Sequence, residues 1–530
     1  MHLKNSEDGN ITAGDHVSYW VDSDTKQTEN PLKENLETDV VIIGGGIAGL
    51  TVAYCLLNSG KKIVLVEDGL IGSGETGRTT AHLVTALDDR YYNLEKDFGE
   101  EKTKLIAESH KEAIQLVESI VDKENIDCNF ERVNGYLFLH PTDKKDSLKK
   151  ELDAALRAGL DVEMIDTAPG MKHSTEAICF HGQAQFHPMK YLHGLYKAIE
   201  KKGGKIFTAT HADTIDHKGI ITKDGHTVLA KDIVVCSNSP VNDIYTMFPK
   251  QYAYRTYVIG ALVKKFFLPK ALWWDTGDFG ANPKVPPYHY IRVHPFNEDF
   301  DILLSGGEDH PTANTHQGHL SEEKRYKVLE DWTRENFPIG NMVYKWSGQV
   351  MEPMDGIAFI GRKPLDHHNV YIVTGDSGNG MTHCSFAGLL ITDLINGVHN
   401  KWEEIYSPSR YTVKESGKVM NLIAEDFVNV MKKWFYSGAV ELTSIKTGEA
   451  GIVKLDGKKY GAYRDEEGRL HMVSAECTHL KCMVLWNNDE KSWDCPCHGS
   501  RFTYEGKVIN GPANFDLPAY SEEAVSKEIK

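Results

Sequence analysis

A chain of 530 residues with a formal net charge of −17, 41% hydrophobic and 25% charged, is long enough for two or three domains around a sizeable core. The acidic balance argues against nucleic acid or an anionic membrane as the main partner. No basic stretch followed by an apolar run opens the sequence, so no secretory signal is expected and the chain reads as cytoplasmic.

Residues 1–38 are polar and are expected to wrap the surface. From Asp39 the text "DVVIIGGGIAGLTVAYCLLNSGKKIVLVE" reads as strand, glycine turn, helix, strand. Its uncharged run, Val40 to Leu57, is interrupted by Gly44–Gly46, which are costly inside a helix, so no membrane span is expected. Gly44-x-Gly46-x-x-Gly49 sits at the strand–helix turn, with Ile47 and Ala48 at the helix start. Glu67 ends the second strand and Asp68 follows. Such glycines let a backbone approach a pyrophosphate at a helix N-terminus, and the acid can accept ribose hydroxyls. The pattern alone permits FAD or NAD.

A long helix is expected over Leu94–Asp122. The segments "GYLFLH", "GKIFTAT", "DIVVCS" and "YHYIRV" read as strands alternating with helices such as Pro188–Lys201, which predicts an α/β fold with an inserted mixed sheet. Residues 370–398 repeat the strand–glycine turn–helix theme. A linker helix is expected over 416–435, and an all-β domain over 436–530, where Gly and Asp turns separate short strands.

Of nine cysteines, Cys55, Cys128, Cys179, Cys236 and Cys384 are scattered and read as small apolar fillers. The other four cluster in "CTHLKC" (Cys477–Cys482) and "CPCHGS" (Cys495–Ser500). Cys477-x-His479 and Cys495-x-x-His498 combine two thiolates with two imidazoles. Zinc takes such a set. So does a two-iron cluster in which thiolates hold one iron and imidazoles the other, raising its reduction potential.

Residues 39–411 resemble the D-amino-acid-oxidase (DAO) superfamily of flavoproteins, which selects FAD and implies a 39–415 domain. "GSGETGRTT" resembles that family's second phosphate loop, with Thr76, Gly77, Arg78 and Thr79 on the matching positions. "WSGQVMEPMDGIAFIG" resembles its signature before the last flavin strand. "GDSGNGMT" resembles the loop against the isoalloxazine ring, implicating Gly375, Gly378, Asn379, Gly380, Met381 and Thr382. "THADTI" and "VVCSNSP" resemble stretches that implicate Ala212, Cys236 and Ser237.

The C-terminal pattern, with its downstream "GPA", resembles the Rieske fold, implying a 2Fe–2S cluster on Cys477, His479, Cys495 and His498. The same resemblance implies a disulfide between Cys482 and Cys497, and a hydrogen bond from Ser500 to cluster sulfur. Phe502 stands where high-potential members carry a tyrosine. Together the two halves are similar to bacterial DAO-type oxidoreductases with a C-terminal Rieske domain.

That resemblance implies an enzyme that oxidises the C–N bond of a small amine or amino acid on FAD. Electrons would pass to the cluster and then to an external protein or quinone-like acceptor. In the strands "YAYRTYVIG" and "PPYHYIRVH", Arg255, Tyr288, His289, Tyr290 and Arg292 are substrate-site candidates, an arginine suiting a substrate carboxylate. An NAD(P)H-dependent flavin/Rieske reductase is the alternative, although no second GxGxxG is present. A non-catalytic redox sensor is the other. "EDHPTANTHQGH" offers the ligand types of a Rieske oxygenase iron site but reads as a polar surface loop.

Overall fold

The computed structural model describes residues 16–24, 28–173, 175–243, 246–280, 286–313, 320–410, 439–455 and 457–520. The expected linker helix over 416–435 lies outside them.

Leu36–Ile43 is the heart of the first sheet. It pairs in parallel with Thr227–Val235 on one side and Ile63–Val66 on the other. Val40, Val41, Ile42 and Ile43 are all buried, the continuous apolar run a strand needs when both of its faces are covered. Val370–Thr374 and Phe359–Arg362 extend the sheet on one side and Lys205–Phe207 on the other. Helices Ile47–Asn58 and Gly380–Ile395 pack together on one face.

A second, mixed sheet of nine strands stands beside it. Its order runs from Met342–Pro353 through Gln251–Lys264, Phe300–Pro311, Tyr290–Pro295, Leu272–Asp275 and Glu131–Phe138 to Ala177–Gln185 and His82–Leu83. Along each strand, alternate side chains face the first sheet's side and the opposite side. Residues 439–520 form two four-stranded antiparallel sheets, with no α-helix among the described residues. The fold is thus the expected α/β unit with an inserted mixed sheet, followed by an all-β unit.

Two local expectations need correction. The long helix is two, Tyr91–Phe98 and Glu100–Glu124, because Gly99 adopts φ +80° between them. The N-terminal segment is not a surface wrap throughout. Trp20 is fully buried and its indole N–H donates to Thr79 O at 2.6 Å, while Ser18 Oγ donates to Gly77 O. The segment therefore pins the loop that carries Thr76–Thr79. No helix among the described residues is long and apolar enough to cross a membrane.

Candidate active site

One cavity of about 2010 Å³ runs from the first glycine turn to the second sheet. At its nucleotide end Gly44 has φ +111°, and a Cβ there would lie 2.5 Å from Cys236 O. A Cβ on Gly49 would lie 1.9 Å from Gly44 O, so only glycine lets the helix start this close to the turn. Gly44, Gly46, Ile47 and Ala48 line the cavity at the N-terminus of the helix, the end that favours a phosphate. Gly49 and Gly77 lie behind the lining.

Glu67 reaches into the same end. Its carboxylate accepts from Gly45 N–H at 2.5 Å and Gly69 N–H at 2.9 Å, and burial pushes its pKa up to about 7. Asp68, Thr76, Thr79, Ala212, Cys236 and Ser237 line the walls. Thr76 Oγ1 also accepts from Ile47 N–H at 3.2 Å, tying the second loop to the helix start. A glycine cradle a Cβ would fill, a helix N-terminus and a buried ribose-directed acid fit an FAD.

Arg78 departs from expectation. It borders the cavity, but its guanidinium donates to Ser347 O at 2.6 Å, Glu490 Oε1 at 3.0 Å and His16 O at 2.8 Å. One of these bonds, to Glu490, ties it to the C-terminal unit.

At the ring end the cavity is lined by Gly378, Asn379, Gly380 and Met381, at the N-terminus of helix Gly380–Ile395. Gly375 and Thr382 lie outside the lining. Thr382 Oγ1 accepts from Val84 N–H and donates to Val84 O, fixing the neighbouring chain. Tyr288 and Tyr290 face the cavity, the Tyr288 hydroxyl donating to Asp88 and the Tyr290 hydroxyl bonded to Thr256.

Three other substrate candidates do not face it. Arg255 points the opposite way from its cavity-lining neighbours Tyr254 and Thr256, because strand side chains alternate; it pairs with Glu490 at 3.2 Å. Arg292 donates to Thr80 O, Ala81 O and Phe186 O and stacks on Trp20. His289 stacks on Trp332 at 3.8 Å and bonds Asp275 at 2.8 Å. None of the three lines the cavity.

Carboxylates that the sequence reading passed over take their place. Burial raises Asp88 to about 6, and Asp309 and Asp376 to about 7, and all three line the cavity. Asp309 belongs to the segment read as a surface loop, yet it lies on strand Phe300–Pro311. Asp88 and Asp309 sit in no local motif, whereas Asp376 lies within the glycine loop "GDSGNGMT". They meet only through the tertiary fold.

In the C-terminal unit the four expected ligands converge from two loops. The thiol of Cys477 lies beside the Cys495 thiol and the Ser500 hydroxyl. The imidazoles of His479 and His498 sit 5.0 Å apart, and neither ring nitrogen of His479 makes a regular hydrogen bond. Burial, with His479 beside it, holds His498 near 4, and burial lowers His479 as well. In both, burial favours the neutral imidazole, the form that offers a lone pair. Two neighbouring thiols and two neighbouring imidazoles fit a two-iron cluster. Cys482 and Cys497 are joined by a disulfide that ties the two loops together. Phe502 is fully buried and brings no hydroxyl.

These loops are pressed against the first unit. Phe248 packs on His479 at 4.6 Å and on His498 at 5.0 Å. Gly499, at φ +79° in the second loop, has no room for a side chain, since its Cβ would lie 2.4 Å from Ala253 Cβ. Its carbonyl accepts from Gln349 Nε2 at 2.9 Å. Below this contact Glu490, fully buried, bonds Arg78, Arg255 and Ser347 together.

Comparison with known proteins agrees with this geometry. The family profile "FAD dependent oxidoreductase" (DAO) matches residues 39–394, and "Rieske [2Fe-2S] domain" matches residues 434–521. A "Putative Rieske 2Fe-2S iron-sulfur protein YhfW" of Bacillus subtilis is 33% identical over 94% of this chain and 96% of its own. The gamma-glutamylputrescine oxidoreductase of Escherichia coli is 24% identical over 74% of this chain and 92% of its own. In fold, glycine oxidase from Geobacillus kaustophilus superposes with a TM-score of 0.58 at 18% identity, covering 71% of this chain and all of that one. The chain belongs to the DAO family of FAD-dependent oxidoreductases and carries a C-terminal Rieske 2Fe–2S domain.

Proposed function

We propose that the enzyme oxidises a C–N bond of a small amine or amino acid, and that the electrons leave through the Rieske cluster of the same chain to an external acceptor. FAD, when bound, supplies the two-electron oxidation, and the Rieske cluster a one-electron outlet. The observation that carries the reading is the packing of both cluster imidazoles on Phe248 of the flavin unit.

The chain's own residues supply the rest. Gly378–Met381 present a helix N-terminus to the ring end, which favours negative charge there. Tyr288 and Tyr290 orient what enters, and Asp88 and Asp309 offer carboxyl groups to an amine. The amine class draws support from the printed activity of the Escherichia coli relative.

The test is an anaerobic screen of amines and amino acids with an artificial electron acceptor. Flavin bleaching and acceptor reduction by an amine, without peroxide in air, is the expected result. Bleaching by NAD(P)H alone would overturn the reading in favour of a reductase, and no turnover with any amine would favour a sensor.

A further inference from the structure

The cavity that fits FAD is not built by the flavin unit alone. Ile509, Asn510, Gly511, Ala513 and Asn514 of the Rieske unit line it, together with Gly44, Glu67 and Ala212. We propose that the Rieske segment 508–514 is part of the FAD site, closing its nucleotide end so that FAD binding and docking of the cluster domain are coupled.

The segment is held there by specific bonds. Asn514 Nδ2 donates to Ala212 O and Asp213 O, both at 3.0 Å. Its carbonyl bonds His211 Nε2 at 3.2 Å, and the other nitrogen of that imidazole meets Asp68 at 3.2 Å. Asp68 directly follows Glu67, so the Rieske segment is linked to the strand end that carries the ribose-directed acid. Asn510 Nδ2 donates to Glu75 Oε1 at 3.0 Å, and Glu75 Oε2 accepts from Gln349 N–H at 2.7 Å. Glu75 immediately precedes Thr76 of the second phosphate loop. Gly511 fits closely: a Cβ on it would lie 3.0 Å from Val241 Cγ1, another lining residue.

A wall supplied by a second domain has a thermodynamic consequence. If FAD binds the docked form better, docking must be tighter with FAD bound by the same factor. The flavin would then be retained for as long as its electron outlet is in place.

The experiment compares the full-length wild type with an Asn510→Ala/Asn514→Ala variant. Release of FAD on dilution is followed by flavin fluorescence, and cluster content by visible absorbance. Losing the three hydrogen bonds that these two side chains donate predicts release faster by at least about tenfold, with cluster content unchanged. An unchanged release rate would overturn the proposal. Should the variant fail to fold, hydrogen–deuterium exchange on the wild type decides. Stripping FAD should raise exchange across 508–514, a change that a merely structural contact would not show. Equal protection with and without FAD refutes the coupling.

Discussion

Replacing Glu490 by glutamine probes the joint between the two halves. The side chain is fully buried; it accepts from Arg78 at 3.0 Å and Arg255 at 3.2 Å, and is bonded to Ser347 Oγ. Glutamine keeps the shape but removes the charge, leaving two buried guanidiniums of the flavin unit without the carboxylate that the C-terminal unit brings to them. Breaking a buried pair in this way costs about 3–5 kcal/mol, which is two to three and a half orders of magnitude in the docking equilibrium. The E490Q protein should therefore be more extended by small-angle scattering and should slow flavin-to-cluster electron transfer, while the cluster's own spectrum persists. Because the pair is buried, raising salt should not reproduce the effect in the wild type. Acid should. The two arginines hold the Glu490 carboxyl far below its usual range despite burial, so its contribution is complete above about pH 4.3, the ordinary glutamate value, and fades as pH falls below it. A variant with wild-type shape and transfer rate would refute this reasoning.

Three further outcomes follow from the same geometry. Burial lowers the pKa of His289, but Asp275 and Glu308 overcome it and raise the group to about 9. Its stabilisation is complete below pH 6.5 and is lost as pH rises to about 9, on the order of 3 kcal/mol, so melting temperature should fall over that window and His289→Asn should flatten the fall. Replacing Cys482 and Cys497 by serine removes a bridge with a sequence separation of 15. Roughly 3 kcal/mol of stabilisation should go with it, read as faster loss of cluster absorbance on heating. Phe502 lacks the donor that raises potential in high-potential relatives, so electrochemistry should place the cluster below roughly +300 mV, and Phe502→Tyr should move it upward.

What could be read in advance was local. Gly44, Gly46 and Gly49 announce a cradle because three glycines at that spacing meet a steric demand inside one turn. Cys477, His479, Cys495 and His498 announce a cluster because ligand chemistry restricts residue type. The substrate-side arginines were misread because strand text shows alternation but not which face is covered. Arg255 and Arg78 look like anion binders until a second domain brings Glu490 between them. Trp20 was invisible for a similar reason: in a polar segment, one aromatic anchor finds its partner, Thr79, only in the folded chain. Asp88 and Asp309 come from distant segments, and no sequence pattern joins them.

The central claim, that flavin and cluster are wired within one chain, is tested most directly by rapid-freeze EPR. The oxidised enzyme is mixed anaerobically with an amine that bleaches its flavin, over a range of protein concentrations. Flavin bleaching should be followed by the signal of the reduced cluster, at a rate independent of protein concentration. A cluster that stays oxidised, or a rate that scales with concentration, would contradict the claim.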